Sequence, residues 1–237
     1  NPPWSTLILR SLLKNESFQH QFINRYADHL NTTFSTKRVE LKIDELSAAF
    51  EPEMERQLDR WKLSKKRYRS QILRMRNFGR KRPTYARMHL MELFETGDIS
   101  ELRLSVNHGG KVVVNNNIKI EGENFKGKYF QNIPVNIKAI PNFGYRFSHW
   151  EGIDMDEGIF EFNMRLDKKS TAIRAVFEPH THPYAGQIMI NEISFNNKKS
   201  KDWVELYNAS DEAVNLSGWI FTDNNNQYHL PDVKISP

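Results

Sequence analysis

The chain has 237 residues, 38% hydrophobic, 12% aromatic and 27% charged, so it can bury more than one core and should fold into two or three units. Zero cysteines exclude disulfides, thiolate metal sites and a cysteine nucleophile, and no apolar run approaches the ~20 residues that span a bilayer. The net charge of +5 is unevenly spread: between Arg60 and Arg87 stand 12 Lys and Arg with no Asp or Glu, which leaves the rest of the chain net acidic.

Up to about residue 97 the pattern is helical. Phe18, Phe22, Tyr26 and Leu30 recur every four residues behind Asn15, an apt N-cap, and predict one buried face. Val39, Ile43, Leu46 and Phe50 repeat the pattern, and Pro52 is expected to open a new helix that buries Met54, Leu58 and Trp61. Ser64 caps a further helix with Tyr68, Ile72 and Met75 inward, ending near Gly79, and Pro83 opens a last one that closes at Gly97. About five short helices are expected.

From Glu101 the apolar period changes to two. Leu102, Leu104 and Val106 share a face before His108-Gly109-Gly110, which reads as a hairpin signal. Val135, Ile137 and Ala139 share another before a turn at Pro141-Asn142, and "STAIRAVFEP" supplies a last strand. Residues 98–179 therefore predict a small antiparallel β-module. Residues 180–185 read as a linker, since "PHTHPYAG" breaks any period. Residues 186–237 predict separate strands with turns at Asn196-Asn197, Ser210-Asp211 and Asp223-Asn224. The fold class is multidomain α + β. Trp150 and Trp219 are each expected to be buried in a β core of their own.

Three groups of residues invite chemistry. His180 and His182 could face one metal, but no third ligand stands near, so they read as solvated and no metal is assigned. Glu192, Asp202, Glu205 and Asp223 could gather around a cation, but carboxylates at strand ends more often bond the local backbone. Lys65, Lys66, Arg67, Arg69, Arg80, Lys81 and Arg82 form a candidate anion-binding surface, with Trp61, Tyr68 and Phe78 as stacking platforms for nucleic acid. Helical spacing puts Trp61 and Tyr68 on buried faces instead. That disfavours nucleic acid and leaves the cations as a solvated face or as partners of an acidic lobe. No phosphate loop, HExxH, GxSxG or paired catalytic motif occurs, and no catalytic or cofactor-binding residue is assigned.

Three blocks resemble known families. "FINRYADHLNTTF", the EPEM block, the following Arg60-Trp61 and "RPTYARMHLMELF" make residues 4 to about 95 similar to the C-terminal part of the bacterial spore-coat protein H (CotH) kinase-like family. In that family the phosphate-binding lysine and metal-binding aspartates lie upstream, so the resemblance carries no catalytic residue onto this chain. ATP and a divalent metal would belong to the full-length parent. Pro141, Gly144, Tyr145, Phe147, Trp150, Ala175 and Phe177 match the internalin-type B-repeat of surface proteins, which implies a β-grasp-like spacer or adhesion module. Asn191-Glu192-Ile193, Trp203 to Asn208 and Leu216-Ser217-Gly218-Trp219 resemble the lamin-tail domain, an immunoglobulin-like sandwich also fused to exported bacterial enzymes.

Together these resemblances imply a secreted or cell-surface bacterial protein. They imply an upstream kinase-like lobe as intrachain partner, and protein or cell-surface ligands for the β-modules. With no Met at residue 1 and few sandwich strands before Pro237, the chain is expected to be an excerpt of a longer protein, its immunoglobulin-like sandwich incomplete.

Overall fold

Four α-helices and fourteen strands form among the residues that the computed structural model describes: 3–122, 124–195, 202–222 and 227–237. They divide into two units, Asn1–Pro179 and His180–Pro237. No helix among the described residues is long and apolar enough to cross a membrane.

In the first unit a short 3-10 turn leads into α1 (Leu7–Leu12), followed by α2 (Glu16–Asn31), α3 (Thr36–Arg60) and α4 (Lys65–Leu93). The Asn15 side chain accepts from Phe18 N at 2.9 Å, the expected cap of α2. Ser64 Oγ likewise accepts from Arg67 N at the start of α4. The breaks expected at Pro52, Gly79 and Pro83 do not occur, because α3 and α4 run through all three. A proline removes one amide donor and crowds the carbonyl four residues back. Pro52 lies on an exposed stretch, and Pro83 is buried, its own carbonyl accepting from Arg87 Nη1.

Helices α3 and α4 form an antiparallel hairpin. Arg76 pairs with Asp44 and Arg80 with Glu40, while Gly79 lies so close to Val39 that an added Cβ would stand 2.7 Å from its Cγ1. The expected inward faces are only half realised. Leu46, Phe50, Trp61 and Met75, all predicted buried, are exposed. Along the α3–α4 hairpin α3 packs against α4, which covers only part of each helix's apolar surface and leaves these side chains in solvent.

Eight strands complete the unit. β1 (Ile99–Val106), β4 (Phe125–Phe130), β6 (Tyr145–Glu151) and β8 (Ser170–Pro179) make a sheet of order β4-β1-β8-β6, in which β1 and β8 are parallel. β2 (Gly110–Val114), β3 (Ile118–Ile120), β5 (Val135–Pro141) and β7 (Glu161–Met164) make an antiparallel sheet of order β3-β2-β5-β7. The predicted faces Leu102, Leu104, Val106 and Val135, Ile137, Ala139 are buried. His108-Gly109 is not a hairpin turn, because it carries the chain from β1 to β2, which lie in different sheets. The tight hairpin joins β2 to β3 at Asn115-Asn116, both with positive φ, and Asn117 N donates to Val114 O.

One apolar cluster joins both sheets and the helices: Ile23 and Ala27 of α2 and Leu90 of α4 lie in it beside Tyr129, Ile137 and Trp150. The step near residue 97 thus changes secondary structure without separating two cores. Tyr129 and Phe130, unassigned from sequence, are fully buried there, because β4 takes them beneath α2. Trp150 is buried as expected, and its Nε1 donates to Ile159 O at 2.8 Å.

The described residues of the second unit form three antiparallel pairs: β9 (Ile188–Ser194) with β10 (Trp203–Asn208), β11 (Val214–Asn215) with β14 (Lys234–Ile235), and β12 (Ile220–Thr222) with β13 (Gln227–His229). Val214, Leu216 and Asn208 are its buried residues among those described. Trp219 is only half-buried, contrary to expectation, and the His182 ring meets it edge-on at 4.9 Å. His182 thus touches Trp219 while itself remaining exposed. The predicted turns at Asn196-Asn197 and Asp223-Asn224 lie outside the described residues.

Candidate functional site

The basic surface is the site the sequence put forward. All seven of its residues sit on α4 and are exposed. Arg80 is taken by Glu40 at 2.6 Å, whereas Lys65, Lys66, Arg67, Arg69, Lys81 and Arg82 form no ion pair among the described residues. Trp61 is 60% exposed, so the burial that disfavoured stacking is corrected for that ring, and Phe78, which was not assigned to a buried face, is 66% exposed. Tyr68 is half-buried.

The other sequence candidates do not assemble. Glu192 and Glu205 stand opposite each other in the β9–β10 register, but Glu205 accepts from Asn191 and both are exposed. Asp223 lies outside the described residues. No group of three or more His, Asp or Glu that could hold a metal occurs among the described residues.

The most organised polar site was not read from the sequence. It lies where α2 meets the β2–β3 turn and β5. Asp28, fully buried, accepts from Tyr129 Oη at 2.8 Å and from Asn115 Nδ2 and Asn117 Nδ2, each at 3.1 Å. Burial pushes the Asp28 carboxyl above its ordinary range, opposed by these three donors and by the Arg25 charge. The Tyr129 hydroxyl is pushed well above its usual value, first by burial and then by Asp28, so it stays a donor. One turn along, Asn31 pairs with both backbone groups of Lys128 at the edge of β4 and accepts from Arg87 Nη2 at 2.8 Å. Burial holds the Arg87 guanidinium below its usual value.

Beside Asp28 opens a polar cleft of about 720 Å³, lined among others by Gln21, Asn24, Asn115, Asn136 and Asn163. Asn24 Nδ2 donates to Pro134 O at 2.7 Å, and Asn136 Nδ2 donates to Asn163 Oδ1 at 3.2 Å and Glu161 Oε1 at 3.3 Å. The amide oxygens of Asn24 and Asn136 are buried without a hydrogen-bond partner. The run Asn115-Asn116-Asn117 was the one sequence signal for this site.

Residues 1–86 match the family model described as CotH kinase protein, and residues 181–237 match the Lamin Tail Domain model. No curated protein and no solved structure matches the chain. The chain thus carries a CotH-kinase-type helical segment and, C-terminal to it, a lamin-tail domain, in a multidomain α + β arrangement.

Proposed function

We propose that, in a chain carrying a CotH-kinase-type segment and a lamin-tail domain, the helices are an accessory lobe. They dock on a kinase-like lobe contributed elsewhere in the same polypeptide and take no chemical step themselves. The observation that carries this reading is the exposure of large apolar side chains on the α3–α4 hairpin, among them Leu41, Leu46, Phe50, Leu73 and Met75. Exposed apolar groups gathered on one element are the usual mark of an interaction surface. ATP and its divalent metal would bind the partner lobe. The two β-modules serve as spacers or in binding a protein or cell-surface ligand, and the parent is secreted or held at the bacterial surface. The likeness of the middle module to B-repeats rests on its own aromatic motif, in which Phe147 packs against Trp150 and Phe177.

Hydrogen exchange on this chain and on its full-length parent tests the docking. The α3 and α4 amides are expected to exchange more slowly in the parent, and equal rates would sink the proposal. ATP-dependent labelling of a protein substrate by this chain alone, lost on mutating one of its own carboxylates, would also overturn it.

A second reading has its own observation. The unpaired cations of α4 lie on the same stretch of chain as exposed Trp61 and Phe78, a combination that suits a polyanion with stackable bases.

A further inference from the structure

We infer that the apolar pocket enclosed by α2, α3 and α4 binds a small carboxylic acid, an apolar body of about eight to twelve carbons with one anionic end. None of the side chains that carry the docking reading lines this pocket, so the two stand or fall separately.

The pocket follows from how the helices meet. Gly79 lets α4 touch α3 at Val39, where an added Cβ would stand 2.7 Å from Val39 Cγ1. The link from α2 to α3 carries Phe34 alongside, held where Phe34 N donates to His29 O at 2.7 Å and the two rings meet at 5.9 Å. Buried Leu30, Pro83 and Ala86 close the inner end, and exposed Phe34, Phe78 and Arg82 stand at the mouth.

The apolar surface is within a ligand's reach. Phe34 is 56% and Phe78 66% exposed, and Tyr26 and Val39 are half-buried, so the lining is open to solvent and not sealed into the core. Large apolar side chains around a concavity mark a binding site, whereas ones scattered singly over a surface do not. The volume is about 310 Å³, roughly twice the ~150 Å³ that holds one benzene, which sets the size of the body.

Charge sets the other end. Arg82 is the fixed charge of the lining and forms no ion pair among the described residues, and no Asp or Glu lines the pocket. Glu40, next to Val39, is already engaged by Arg80. Near the end of α2 the carbonyls of Asp28 and His29, which would favour a cation, are taken by the amides of Thr32 and Phe34. A cation would thus meet Arg82 with no carboxylate to hold it, whereas a carboxylate can pair with the guanidinium while its tail lies on the rings. Because Arg82 is exposed, the pair contributes less than the tail.

The test is calorimetric titration of the full chain with hexanoate, octanoate and decanoate below their micellar concentrations, followed by the methyl NMR signals of Leu30 and Val39. Octanamide is the neutral counterpart and sodium acetate the control. The acids are expected to move both methyls saturably at about millimolar concentration, tightening up to about fourfold per added methylene. This dependence on tail length also separates the site from a polyanion surface that uses Phe78 and Arg82. Octanamide should bind about threefold to fivefold more weakly than octanoate, and Arg82→Gln should erase that difference. Phe34→Ala and Phe78→Ala should each weaken octanoate about fivefold. All three positions are exposed, so the variants should fold, and if one does not the other two decide. The pocket is overturned if no acid gives a saturable shift, if acetate reproduces the shifts, or if octanamide binds the natural chain as well as octanoate. Shifts at the Leu46 and Leu73 methyls in place of Leu30 and Val39 would put the tail on the exposed hairpin and overturn it equally.

Discussion

Tyr129 Oη donates to Asp28 Oδ1 at 2.8 Å, a hydrogen bond between a strand and a helix 101 residues apart in sequence. It places a carboxylate in the core where α2 meets β4, and the carboxyl is raised because burial outweighs the donors around it. A raised folded-state value means that the folded form holds its proton more tightly than the unfolded chain. The contribution to stability is then full below the ordinary carboxylate value and is lost as pH rises through the folded value. Relative to Asp28→Asn, the natural chain should therefore gain in melting temperature as pH falls from neutrality toward the carboxylate range. A difference that is flat, or that grows as pH rises, would contradict this origin.

Removing the donor has its own cost. Tyr129→Phe leaves the buried carboxylate one hydrogen bond short and should destabilise the first unit by about 2 kcal/mol at neutral pH, the scale of a bond to a charged group. The loss should shrink in acid, where Asp28 takes a proton. Urea unfolding at two pH values measures both.

Two glycines with nearly the same backbone angle should behave differently. Gly144 and Gly152 have φ of +81° and +85°, but a Cβ at Gly144 meets nothing within 4 Å, whereas one at Gly152 stands 2.2 Å from the backbone oxygen of Ala172. Gly144→Ala should cost about 1–2 kcal/mol, the left-handed penalty alone. Gly152→Ala must also displace β8 and should cost more than ~3 kcal/mol. Equal melting temperatures for the two variants would refute the contact.

The strand faces were legible because alternation is local: Leu102, Leu104 and Val106 announce their common side within five residues. Helix continuity was not. Pro52, Gly79 and Pro83 are strong local punctuation, and only packing of α4 on α2 and α3 shows why the chain runs through two of them. The cleft was illegible for a different reason. Asn24, Asn115, Asn136 and Asn163 come from four separate stretches, and each alone reads as a turn or surface residue. Trp61 misled because helical spacing reports which side chains share a face, not whether anything covers that face.

The basic helix separates the docking reading from the polyanion reading. If α4 mainly packs against a partner lobe, this chain should bind single-stranded DNA or heparin weakly at physiological salt, and Trp61→Ala should leave that binding unchanged. A nucleic-acid site would instead lose affinity steeply with salt, lose it with Lys65, Lys66, Arg67 and Arg69 changed together to Ala, and lose about 1–3 kcal/mol with Trp61→Ala. Fluorescence anisotropy across a salt series reads all three.

The division after Pro179 predicts how the chain comes apart. The first unit holds every member of the large core cluster, including Trp150 and Phe177, among the described residues. The stretch that follows is short of pattern but not idle, since Ala185 N bonds His182 O, Gln187 N bonds Tyr184 O and His182 touches Trp219. The weak seam is thus expected just before His182 rather than across the whole of 180–185. Limited proteolysis should cut between Pro179 and His182 and release a first unit whose melting temperature stays within a degree or two of its value in the intact chain, as expected when few contacts cross a boundary. A first cut inside residues 98–170, or a marked fall in the melting temperature of the isolated first unit, would show that its core needs the second.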